Sequence, residues 1–124
     1  MIPNVSTISI TTGGSQRLAL DAGTAHSNNL FWIFGSMSGT SPGLSVFGPH
    51  IYLNADPYTD LALGLVNTGV FVNFRGVLDL SGKATADFKV PPAVISGPLT
   101  LHHAAFVYLS NIKCSTNPTP VFLK

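Results

Sequence analysis

Ser81-Gly82-Lys83-Ala84-Thr85-Ala86-Asp87-Phe88-Lys89-Val90 is the stretch that decides the fold class of this chain. From position 84 onward, Ala84, Ala86, Phe88 and Val90 alternate with Thr85, Asp87 and Lys89. A period of two sends successive side chains to opposite faces of a strand, so one face is apolar and the other polar. Ser81-Gly82-Lys83 is a turn signal, because glycine enters positive φ without steric penalty. With Val77–Leu80 on its other side, the turn predicts a hairpin.

The same pattern extends in both directions. Leu18, Leu20 and Ala22 alternate with Arg17, Ala19 and Asp21, and Leu61, Leu63 and Leu65 alternate with Asp60, Ala62 and Gly64. Leu30-Phe31-Trp32-Ile33-Phe34 and Val70-Phe71-Val72-Asn73-Phe74 are apolar on both faces, as in a central strand or one covered on its second side. From Leu99 to Leu109, alternation puts Leu99, Leu101, His103, Ala105 and Val107 on one face. Val5 to Ile10 reads as the first strand and Val121-Phe122-Leu123 as the last. Turn residues punctuate these runs at Thr12–Ser15, Ser27–Asn29, Ser41–Gly43, Asn54–Pro57, Asn67–Gly69 and Asn117–Pro118. No ten-residue helical pattern stands out, and Pro91-Pro92-Ala93-Val94 has room for one helical turn. Short strands at regular spacing predict an all-β, antiparallel β-sandwich of Greek-key type, Ig-like or jelly-roll-like, with about seven to nine strands.

Composition bounds the rest. The 124 residues form one domain, and a chain of that size buries roughly two-thirds of its unfolded surface. Only 9% of residues are charged against 45% hydrophobic, and glutamate is absent. That balance is the reverse of a disordered chain. The net charge of +1, from six basic and five acidic residues spread along the chain, makes no field to gather nucleic acid or an anionic membrane. No apolar run reaches the roughly 18 residues of a membrane-spanning helix, so membrane insertion is not expected. Cys114 is the single cysteine, so no internal disulfide and no thiolate metal site are expected. Met1-Ile2-Pro3-Asn4 lacks the basic and apolar regions of a signal peptide; if the protein is exported, Met1 replaces a removed leader or the chain is a piece of something longer.

Several segments resemble a C-terminal module of large secreted proteins from planctomycetes and similar bacteria. They are Leu20-Asp21-Ala22-Gly23-Thr24-Ala25-His26, Phe34 to Gly43, Leu53-Asn54-Ala55-Asp56-Pro57-Tyr58, Gly76-Val77-Leu78-Asp79 with Gly82-Lys83-Ala84-Thr85-Ala86, and Leu99 to Ala104. The likeness runs from about Leu18 to Leu123. It departs at Leu80, where a small residue is more usual, and at Asn117-Pro118-Thr119-Pro120-Val121, which stands where the module has an S-N-x-V stretch. The resemblance implies a secreted or surface-exposed appendage of a larger protein, with no assigned activity.

Residues with chemical potential have plainer readings beside them. Gly39-Thr40-Ser41-Pro42-Gly43 matches the G-x-S-x-G nucleophile elbow, but that motif needs an N–H after the serine and Pro42 has none. Of four histidines, His102 and His103 are adjacent on a strand and point to opposite faces, while His26 and His50 sit near turns. Asn54, Asp56 and Asp60 share a loop that suggests a calcium site, without the bidentate glutamate and ligand count of a tight one. Asp56 before Pro57 is equally a capping residue. Trp32, Tyr52, Tyr58 and Tyr108 make a sugar-stacking platform if they share an exposed face, although the apolar run around Trp32 points to the core. Asn4-Val5-Ser6 fits the glycosylation pattern, a frequent chance match.

The reading that follows is a non-catalytic, extracellular or cell-surface module that needs no cofactor. It packs with itself, as an oligomer or filament, or with a parent surface protein. Native sandwiches protect their edges with Lys and Pro, and the first strand has neither. Strand addition is therefore expected through Val5, Thr7, Ile8 and Ile10, and through Val121, Phe122 and Leu123 at the other end. The alternative is a carbohydrate- or surface-ligand-binding module using Tyr52, Asp56 and Tyr58. A hydrolase would need a cleft that brings His26 or His50 to a carboxylate.

Overall fold

The computed structural model describes residues 1–40, 43–45, 50–51, 53–93, 97–109, 112–116 and 118–124. In chain order the strands are β1 (Ile2–Pro3), β2 (Thr7–Ile8), β3 (Gly14–Asp21), β4 (Leu30–Ser36), β5 (Leu44–Ser45) and β6 (His50–Ile51). A helix, α1 (Pro57–Gly64), precedes β7 (Phe71–Val72), β8 (Arg75–Val77), β9 (Lys83–Val90), β10 (Leu99–Tyr108), β11 (Ile112–Ser115) and β12 (Thr119–Leu123). A small sheet runs β1-β3-β9-β7 and a large one β2-β12-β10-β4-β8, with β11 also on β10 and β5-β6 a separate pair. Lettered as an immunoglobulin-type sandwich, the small sheet is A-B-E-D and the centre of the large one G-F-C. The seven lettered strands match the expected range, and the remaining strands are only two to four residues long.

The alternation at 84–90 does what it predicts. Ala86, Phe88 and Val90 are buried, and β9 pairs along its length with β3, from Gly14 opposite Val90 to Asp21 opposite Lys83. Leu18 and Leu20 of β3 face the same interior. On the large sheet, Phe31 and Ile33 of β4 and Leu101, Ala105 and Val107 of β10 complete the core. Burying each such side chain contributes about 1.5–3 kcal/mol. The second apolar face of β4 is also covered: Leu53 packs into a smaller cluster with Ala104 and Phe106, flanked by Trp32, Phe34 and Tyr108.

Two local expectations change. The turn at 81–83 exists, with Asp79 Oδ1 accepting from the N–H groups of Ser81 and Lys83. It does not make a hairpin, because β8 lies in the large sheet and β9 in the small one. Gly82, at φ +76, lies against the backbone of Gly23, so the turn takes the chain across the sandwich under a close approach. The Leu61–Leu65 alternation is helix, not strand. Asp56 is its N-cap, in a capping box with Thr59, and Pro57 opens it. Four interlocking end signals outweigh a three-residue alternation.

α1 packs against β4, burying Tyr58, Thr59 and Ala62. The contact requires Gly35. A Cβ there would run into the Tyr58 ring and come within 3.1 Å of His103 Cδ2. Gly35→Ala is expected to lower stability by about 1–3 kcal/mol through overpacking. Gly64→Ala, where an added Cβ meets nothing, should raise it by about 0.5–1 kcal/mol through helix propensity. Urea unfolding of the two variants beside the parent checks both signs.

Candidate functional site

The N-terminal segment is tied to both sheets, which alters the predicted edge. Ile2 and Pro3 pair with Ala19 and Leu18 on the small sheet, whereas Thr7 and Ile8 pair in parallel with Phe122 and Leu123 on the large one. Backbone groups along this crossing are used internally. Val5 O accepts from Gln16 Nε2, Ser6 O from Phe122 N, and Ile8 O from Lys124 N, while Ile10 N donates to Lys124 O. Gln16, fully buried, also donates to Pro120 O and so pins the first segment to the last strand. Asn4 Oδ1 accepts from Arg17 N at 2.7 Å, so this amide of the glycosylation pattern is engaged on a strand edge.

The predicted edge residues therefore divide. Val5 and Thr7 are exposed, Ile10 is half-buried, and Ile8 is 3% exposed, in the core. β12 is not an edge at all: it lies between β2 and β10, with Val121 and Leu123 buried and Phe122 turned outward. A seven-residue open strand is reduced to a two-residue one because the chain switches sheets in its middle.

Of the predicted ligand residues, Tyr58 and Asp56 turn inward and Tyr52 lies outside the described residues. Tyr58 is 9% exposed, and its Oη sits 2.7 Å from Nε2 of fully buried His103. Phe71, Phe74 and Phe88 surround the pair, with ring centroids 4.9 to 6.4 Å from one or the other. Burial drives the His103 imidazole down to about 3, His102 adding to the effect, so the ring is neutral. Burial, with Asp56 nearby, pushes the Tyr58 phenol up and keeps it protonated.

Asp56 serves as a structural anion. Its Oδ2 accepts from Ser36 Oγ, Met37 N, Ser38 N and Ser38 Oγ at 2.7–2.9 Å, and Oδ1 accepts from Thr59 N. Burial alone would raise its pKa, but the Ser38, Ser36 and Thr59 hydrogen bonds together hold it well below the ordinary carboxylate range. Both oxygens are thus occupied by protein donors. Asn54 Oδ1 accepts from Gly43 N, Asp60 is exposed on α1, and no three His, Cys, Asp or Glu side chains converge among the described residues. Ser41 and Pro42 of the elbow motif and the side chain of His50 lie outside the described residues; His26 is in a 3-10 turn at Thr24–His26, beside Asn29 Nδ2.

The two outer faces of the sandwich differ in chemistry. The small sheet presents Arg17 opposite Asp87 and Asp21 opposite Lys83, with Lys89 beside them. Arg17 Nε and Asp87 Oδ1 are 3.1 Å apart. The large sheet presents rows of cross-strand neighbours: Val77, Leu30 and Tyr108; then Arg75, Trp32 and Phe106; then Phe34 and Ala104. Arg75 is the one charged side chain in these rows, and it stacks over Trp32 at 4.5 Å. Val77 is 58% exposed, and exposed Leu80 and Leu109 follow at the same end of the sheet. Trp32, expected in the core, lies half-buried on this outer face, because Phe31 and Ile33 take the inward positions.

No family model matches this chain, and no curated protein matches it. Among solved structures it is similar to WR4, a C. elegans MSP family member, at 12% identity and a TM-score of 0.44, covering 98% of this chain and 94% of that one. Function is therefore argued from the residues.

The buried imidazole gives the protein an acid-sensitive core. An unfolded chain takes up a proton on His103 near pH 6.5, and the folded chain not until about 3. Stability is full above pH 6.5 and falls as pH drops toward 3, by up to ~1.4 kcal/mol per unit. His102, also lowered by burial, acts in the same direction, whereas Asp56 contributes only below its ordinary 3.8. Chemical denaturation between pH 7 and 4 should show a steeper loss in the parent than in His103→Gln. Tyr58→Phe, which leaves His103 Nε2 buried and unpaired, should cost about 1–3 kcal/mol at pH 7.

Proposed function

We propose that this chain is a non-catalytic structural module of the cell exterior. The outer face of its large sheet packs against a second copy of itself or, where the chain forms part of a surface protein, against that parent. The observation that carries this reading is the contrast between the outer faces: one bears opposed charges suited to water, the other aliphatic and aromatic rows with a single arginine. Interface cores are depleted of charge and enriched in Trp, Tyr and Arg, the residue types that Trp32, Tyr108 and Arg75 supply. Face-to-face packing takes the place of strand addition, because β2 offers only two residues to an incoming strand.

A second reading is favoured by one observation. Trp32 and Tyr108 lie on the same sheet face, bridged by Phe106 at centroid distances of 6.2 and 5.2 Å, as a sugar-stacking surface requires.

Trp32 is the single tryptophan, so intrinsic fluorescence reports on this face directly. Light scattering over a concentration series is expected to give a defined oligomer, with Trp32 emission shifting blue as it forms. Val77→Asp should return the protein to monomer without unfolding it, whereas Lys83→Gln on the opposite face should leave the mass unchanged. A strict monomer at every concentration would refute self-association. If glycans then altered Trp32 emission, the second reading would stand in its place.

A further inference from the structure

At one open side of the sandwich the two sheets do not close on each other. Phe88 and Val90 of β9 lie across from Leu99 and Leu101 of β10, Tyr58 and Phe71 wall the side, and a pocket of about 400 Å³ lies among them. Protein interiors leave few voids larger than a water molecule, whereas small-molecule sites occupy about 300–1,000 Å³. Water inside such a lining would find almost no hydrogen-bond partner, so the pocket favours hydrocarbon.

The lining has one formal charge. Lys89 lines the pocket and is exposed, with no ion-pair partner among the described residues, and the described lining includes no carboxylate. Lysine keeps its ammonium in water while its stem lies on apolar surface. Half-exposed Leu61 of α1 adds apolar surface to the same lining.

We propose that this pocket binds a free fatty acid, its acyl chain between the two sheets and its carboxylate at Lys89. The volume selects a single chain, the lining selects hydrocarbon, and the unopposed cation selects an anionic head. The site is separate from the outer face of the large sheet, because its β10 residues, Leu99 and Leu101, alternate with those that face outward.

The test titrates dodecanoate, below its micelle concentration, into the intact 124-residue protein by calorimetry, with dodecanol as the uncharged control. One dodecanoate per chain is expected. Lys89→Gln, an exposed substitution that leaves the fold intact, should weaken dodecanoate about two- to five-fold, the range of an exposed ion pair, and leave dodecanol unchanged. Leu99→Trp, which fills the pocket, should remove both ligands. Absence of binding by either ligand would overturn the proposal, as would an unaltered dodecanoate affinity in Lys89→Gln. Binding to phosphatidylglycerol vesicles without binding to monomeric dodecanoate would also overturn it, assigning the surface to membranes instead.

Discussion

The hydrogen bond between Tyr58 and His103 is the joint on which the interior is assembled. His103 sits mid-strand on β10 directly opposite Gly35 of β4, and Tyr58 arrives from α1 over that glycine. One contact thus joins the helix to two central strands of the large sheet. Three phenylalanines from β7, β9 and the residue between β7 and β8 close around it, so the small sheet is committed too. A buried polar pair of this kind is tolerable only because each member has the other. It forces neutrality on the imidazole, and it makes a missing side chain at position 35 a condition of the fold. Asp56 extends the same joint, since it caps α1 while gathering the N–H and hydroxyl groups at the end of β4.

What was legible in the sequence follows from how local each signal is. Alternation at 84–90 and 99–107 exposed the two long central strands, because a period of two is read without knowledge of partners. The burial of His103 and the doubly covered β4 came from the same logic. α1 was missed although its signature, Asp56-Pro57 with Thr59 at the third helical position, was in view. Its alternating leucines imitate a strand over a span too short for helical periodicity to show. The sheet switch at Val5–Thr7 was beyond reach, because it depends on Gln16 and Pro120, the latter more than a hundred residues away.

Poverty of charge takes on meaning only with register. Arg17 and Asp87 are seventy residues apart, yet antiparallel pairing sets them face to face, and it does the same for Asp21 and Lys83. The outer face of the small sheet thereby gathers nearly half of the chain's eleven charged residues. The large sheet is left with aromatic rows and Arg75, and the guanidinium is spent on Trp32 rather than on water. Low overall charge is the sum of one ordinary solvated face and one that is not.

The edges explain why that second face matters more than a free strand. At the outer side of β8, the Asn67 side-chain amide accepts from Arg75 N and donates to Arg75 O, acting as a one-residue strand. Asn73 donates to Thr85 O on β9 just past the end of β7, and Asn4 pairs with both backbone groups of Arg17 beyond β1. Each amide supplies the partner that a neighbouring chain would otherwise provide, with a net worth of about 0.5–1.5 kcal/mol per bond. This is edge protection without lysine, and it works by saturation rather than by charge. With its edges answered from within and one face charged, the molecule keeps two unsatisfied apolar surfaces: the aromatic rows outside the large sheet and the pocket between the sheets. Adjacent side chains of β10 serve one and then the other, so a single strand's alternation holds them apart.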